Sequence, residues 1–118
     1  MENGDKIYDL EERTLKFSKE VIHLIKSIPR NAINHPIFSQ LIRSATSVGA
    51  NYREANDALG KKDFAHCIKI ARKEAKETIY WLNLLEEVNP EFIDIIKKLE
   101  KEAGEIRNIL SAIIKKVM

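Results

Sequence analysis

Core-type residues recur along the chain at alternating gaps of four and three. The first series is Leu10, Thr14, Phe17, Val21, Leu24 and Ile28, and the second is Leu41, Ala45, Val48, Tyr52, Ala55 and Leu59. The third runs Phe64, Ile68, Ala71, Ala75, Thr78, Leu82 and Leu85. The fourth runs Phe92, Ile96, Leu99, Ala103, Ile106, Leu110, Ile113 and Val117. Each is the seam of an amphipathic helix packed in a bundle, and no alternating strand pattern competes. The series predict helices over about 9–28, 36–59, 61–88 and 90–117.

Punctuation residues fit those limits. Asp9 and Glu12 form a capping-box-like start, Pro29 ends the first helix, and Pro36 suits the first turn of the second. Gly60 offers a left-handed cap to the second helix. Asn89 followed by Pro90 and Glu91 reads as N-cap, N1 and a dipole-complementing acid. Gly49 lies inside a helix, where it is explained by a close approach of two helices. Short connections make successive helices antiparallel neighbours. The expected fold is therefore all-α, an up-down-up-down antiparallel four-helix bundle forming one domain over residues 1–118.

Composition supports this and narrows the rest. With 44% apolar and 32% charged residues, the 118-residue chain has the make-up of a globular domain rather than a disordered tail. The single cysteine, Cys67, rules out an internal disulfide and fits a small core residue in a reducing compartment. The N-terminal stretch lacks an apolar secretory segment, and the longest apolar run is Ile79–Leu82. A cytoplasmic protein with no membrane partner is expected.

Net charge is only +2, but the charges are segregated. Residues 60–85 carry net +3, residues 86–105 net −4, and residues 106–118 net +3. Lys61, Lys62, Lys69, Arg72, Lys73 and Lys76 fall on one side of helix 3, with Asp63, Glu74 and Glu77 on the other. Such a row is either a solvated face bonded to the acids of helix 4 or a surface that tracks phosphates. It lacks a stacking platform, so backbone binding without base readout is the functional form.

The apolar surface exceeds one seam per helix. Leu15 and Ile22 on helix 1, and Ile70, Trp81 and Leu84 on helix 3, lie off the seams. They indicate either a wide core or a subunit interface. Ser44, Ser47, Asn51 and Glu54 flank the helix 2 seam and could bond across to a neighbour. Glu74 and Glu77 are either solvated or paired, with Arg43 and Arg53 the nearest cations by type.

Catalytic patterns are sparse. Glu20-Val21-Ile22-His23 and Asp63-Phe64-Ala65-His66 approach a di-metal spacing, but both histidines should face away from the core. Arg30-Asn31-Ala32-Ile33-Asn34-His35 matches a short ribonuclease pattern in which Arg30 and His35 would act on a phosphodiester. No phosphate-binding loop or nucleophile triad is present. A non-enzymatic protein without cofactor or metal is expected.

The stretch Gln40-Leu41-Ile42-Arg43-Ser44-Ala45-Thr46-Ser47-Val48-Gly49-Ala50-Asn51-Tyr52-Arg53-Glu54-Ala55 resembles the signature of the 23S rRNA-intervening-sequence protein family. So do Lys62-Asp63-Phe64, the run Ile68–Thr78, Trp81-Leu82 and the opening Tyr8–Leu15. The resemblance implies a four-helix bundle that assembles as a homopentamer. It also implies kinship with the accessory protein of diversity-generating retroelements, which pairs with a reverse transcriptase and binds nucleic acid through a basic surface. It implies no enzymatic activity. The combined expectation is an oligomeric adapter for RNA or DNA, with a protein-interaction scaffold as the alternative and a ribonuclease as a weaker one.

Overall fold

The computed structural model describes residues 9–118. Helix α1 spans Leu10–Ser27, α2 Asn34–Asn56, α3 Lys61–Val88 and α4 Ile93–Val117, with a 3-10 turn, Pro90–Phe92, leading into α4. Among the described residues there is no strand. The helices form an elongated bundle of 44 × 28 × 19 Å. Packing is most extensive between α2 and α3, then between α3 and α4, and is slightest between α1 and α4.

The seams close on one core. Phe17, Leu41, Ile68, Leu82, Ile106 and Leu110 are fully buried, each side chain contributing about 1.5–3 kcal/mol by leaving water. Two parts of the apolar pattern fall elsewhere. Leu59 is 98% exposed, because α2 stops at Asn56 and the chain needs residues 57–60 to reverse into α3. On α4 the buried residue of the last turn is Ile114, while Ile113 and Val117 are half-buried. A seam of period 3.5 drifts by about 20° per heptad on a helix of period 3.6, which carries it onto the next residue over so long a helix.

The helix ends also differ from the sequence reading. Asp9 accepts the Arg13 N–H on its carbonyl at 2.9 Å, but its carboxylate makes no capping bond. Gly60 is extended, with φ 160° and ψ 168°, and serves as the N-cap of α3 rather than a left-handed cap on α2. The α1–α2 connection is capped by Asn31, whose Oδ1 accepts the N–H groups of Ile33 (3.0 Å) and Asn34 (2.8 Å). The Asn89 side chain makes no N-cap bond; its Nδ2 instead donates back to the Leu85 carbonyl of α3 at 3.2 Å. It forms a reciprocal amide pair with Asn34, Asn34 Nδ2 to Asn89 Oδ1 at 3.2 Å and Asn89 Nδ2 to Asn34 Oδ1 at 2.8 Å. Both residues are buried, so this pair ties the α1–α2 loop to the α3–α4 loop at one end of the bundle.

At Gly49 α2 packs closely against Thr14 of α1. A Cβ there would lie 2.9 Å from Thr14 Oγ1 and 3.1 Å from Thr14 Cβ. Thr14 is itself fully buried, with its hydroxyl held by the Leu10 carbonyl at 2.8 Å.

Candidate nucleic-acid interface

Helix α3 carries the basic row on the side that borders α4. Lys61, Lys62, Lys69, Lys73 and Lys76 are exposed and Arg72 is half-buried. Among the described residues, none of these six forms an ion pair with a carboxylate. Three acids of α4 are engaged elsewhere, and residues 106–118, which pack beside the start of α3, contain none. Glu102 and Glu105 hold Arg13 of α1, and Glu100 meets Lys97 and Glu86. Antiparallel packing also brings the last turn of α4, with exposed Lys115 and Lys116, to the end of the bundle where α3 begins.

At that end, Lys61, Lys62, Ala65, His66, Lys69, Val117 and Met118 line a cleft of about 490 Å³. It contrasts with the groove of about 620 Å³ between α1 and α4, lined by Asp9, Glu12, Glu20, Glu102 and Glu105 with Arg13, Lys16 and Phe17. There, Arg13 Nε and Nη2 grip the two oxygens of Glu102 at 2.7 and 2.9 Å, and Nη2 reaches Glu105 at 2.7 Å. The bidentate bond to Glu102, ahead of the Glu105 contact, raises the Arg13 pKa further above its ordinary value.

Of the residues singled out on α2 and α3, Arg43, Ser44, Glu74 and Glu77 bridge those helices. Arg43 bonds Glu77 at 2.6 Å and Glu74 at 3.2 Å, while Arg53 lies 3.7 Å from Glu11 of α1. Ser44 is buried and accepts the Thr78 hydroxyl at 3.0 Å across the seam. Ser47 and Asn51 instead bond back to their own helix, Ser47 to the Arg43 carbonyl and Asn51 to the Ser47 carbonyl, and Glu54 is exposed. Both bonds follow from the i−4 reach of short polar side chains on a helix.

The off-seam apolar residues border α2 on its two sides. Leu15 (39% exposed) and Ile22 (38%) share a line of α1 with Glu11 and Ser18, which bond Asn56 and the Ala45 carbonyl of α2. Ile42 (37%) stands on the facing edge of α2. Ile70, Trp81 and Leu84 share a line of α3 with Glu74 and Glu77; all three are half-buried, and Trp81 and Leu84 pack against the core. The Trp81 indole N–H is buried without a hydrogen-bond partner.

His23 and His66 are exposed, and no group of three metal-ligating side chains is brought together among the described residues. Arg30 and His35 are exposed in and beside the α1–α2 loop, and the Asn31 between them is committed to the cap. Cys67 is half-buried at the edge of the core. Burial, then the charges of Asp63 and Glu54, push its thiol pKa up, so it is a poor nucleophile. No helix among the described residues is long and apolar enough to cross a membrane.

Four antiparallel helices over one core, the α3/α4 edge basic and the α1/α4 groove acidic, define an all-α bundle protein with an asymmetric charged surface. The sequence model of the 23S rRNA-intervening sequence protein matches residues 8–112, and the chain belongs to that family. It is similar to a crystal structure of a protein of unknown function from the S23 ribosomal protein family of Bacteroides thetaiotaomicron. The two are 34% identical with a TM-score of 0.77, over 89% of this chain and 97% of that one. No curated protein matches the chain.

Proposed function

We propose that the protein is a non-enzymatic, homo-oligomeric adapter that binds the backbone of RNA or DNA along the α3/α4 edge. The observation that carries this reading is the row of six α3 cations without carboxylate partners among the described residues. Cations held apart along a helix lower their mutual repulsion by binding phosphates and releasing condensed counterions, which gives affinity without base readout. The Leu15, Ile22 and Ile42 edge on one side of α2, with Ile70, Trp81 and Leu84 on the other, supports self-association, as does the homopentamer that the family resemblance implies. Such an interface needs about 800 Å² per partner. Assembly there leaves the α3/α4 edge open, and a reverse transcriptase with its nucleic acid would meet that same edge.

The test is fluorescence anisotropy with a labelled single strand across a salt series. Engaging ~4–6 phosphates per protomer gives a log–log slope of about −3 to −4. Lys69→Glu with Lys73→Glu should abolish binding while leaving the helical signal unchanged, since both side chains are exposed. Binding by the double variant at wild-type strength would overturn the reading in favour of a protein-interaction scaffold. Cleavage of RNA that His35→Ala abolishes would replace it with a ribonuclease.

A further inference from the structure

We propose that the cleft between the first turn of α3 and the last turn of α4 is a subsite for a terminal phosphate of a nucleic-acid strand. The inference rests on the backbone-binding reading above and adds a place where the strand ends.

Three features of the cleft point to a phosphomonoester. Its charged side chains are all basic. Lys61, Lys62 and Lys69, with His66, line one opening of about 490 Å³. Two other clefts along the bundle include carboxylates, five in the larger α1/α4 groove and Glu20 in the smaller. Second, the three lysines have no side-chain ion-pair partner among the described residues. Third, the cleft is not polar throughout: Ala65 and Val117 provide an apolar wall of the kind a ribose or base face can lie against.

Geometry separates this opening from the rest of the row. Lys73 and Lys76 stand one after another along an open helical face, an arrangement suited to internal phosphodiesters carrying one charge each. A terminal phosphate carries about −1.5 to −2 at neutral pH and three acceptor oxygens. Several cations around one cavity match that higher charge, and flexible lysine ammonium groups can reach a single phosphate from different sides. A strand lying on the open face toward the start of α3 runs into the cleft, where the α4 terminus walls it.

The test compares one oligonucleotide sequence in three forms, with a 5′-phosphate, with a 3′-phosphate, and with hydroxyls at both ends, binding to the full chain. One phosphorylated form should bind about tenfold tighter than the hydroxyl form, the gain of one additional charge-assisted bond. Which form gains tells the strand's polarity. Lys61→Gln with Lys62→Gln should erase that difference, and Lys61→Arg with Lys62→Arg should keep it. Lys73→Gln with Lys76→Gln should weaken all three forms by the same factor and leave the ratio unchanged. Equal affinity for the three forms overturns the terminal subsite while backbone binding stands. No binding of any form overturns both. A preference that survives loss of Lys61 and Lys62 overturns the assignment to this cleft.

Discussion

Removing the Asn34 carboxamide isolates the cost of the buried amide pair. Asn34 Nδ2 donates to the Pro29 carbonyl at 2.9 Å and to Asn89 Oδ1, and Asn34 Oδ1 accepts from Asn89 Nδ2. Asn34→Ala therefore loses three hydrogen bonds, a net cost of about 3 kcal/mol at about 1 kcal/mol each. At an unfolding entropy of about 2.1 cal/mol/K per residue, this lowers Tm by about 12 °C. Asn89→Ala also loses three, because Asn89 Nδ2 donates to the Leu85 carbonyl as well. The double variant, however, removes four distinct bonds, since the two of the reciprocal pair are shared. The singles should thus sum to about 2 kcal/mol more than the double. Urea denaturation of the four proteins, with m unchanged, measures this. Strict additivity would show that the pair does not join the two loops in solution.

Gly49→Ala gains about 1 kcal/mol of helix propensity but drives a Cβ to 2.9 Å from a fully buried Thr14. It should lower stability by about 1–2 kcal/mol net, and Thr14→Ala in the same chain should recover part of that loss. Glu100 has its pKa raised, by burial first and then by its hydrogen bond to Glu86, so its ionised form costs stability. That cost grows as pH rises through the ordinary carboxylate range toward the raised pKa, and is absent below it. Glu100→Gln should therefore stabilise the bundle at neutral pH, with the gain vanishing in acid; a Tm difference independent of pH would contradict this. Ile22→Glu changes a 38%-exposed residue, so it should shift sedimentation toward smaller species without lowering Tm by more than a few degrees.

The seams were legible because each helix must bury one face, and that requirement is written into every third or fourth residue. Phe17, Ala45, Ile68 and Ile106 stand where the period places them. Leu59 misled because the spacing continues past the helix end, and only the geometry of the reversal determines where α2 stops. Asn89 misled for a chemical reason: a carboxamide suits an N-cap and an amide pair equally, and its partner Asn34 is 55 residues away. Arg43 with Glu74 and Glu77 was legible by type, but the clasp of Arg13 on Glu102 and Glu105 was not, since nothing local marks which of many charges will meet. The basic row could be counted at 100° per residue, whereas the cleft at its end needs the last turn of α4 and is invisible on α3 alone.

That distribution decides how a chain with net charge +2 can have a strongly oriented field. The α1/α4 groove presents five carboxylates against Arg13 and Lys16, and the α3/α4 edge presents the cations. The two are separated by at least one helix, about 10–12 Å across, already beyond the screening length of about 8 Å at physiological ionic strength. Their potentials therefore do not cancel fully at the surface, and on the proposed function a polyanion would be drawn to one edge and repelled from the other. The apolar edges bordering α2 lie on the remaining sides. Contact between copies through Leu15, Ile22 and Ile42 would thus neither cover the cations nor bring them against the acids of the same chain. Each added protomer would contribute its basic edge intact, and the gain in affinity would come through effective concentration rather than through any new contact.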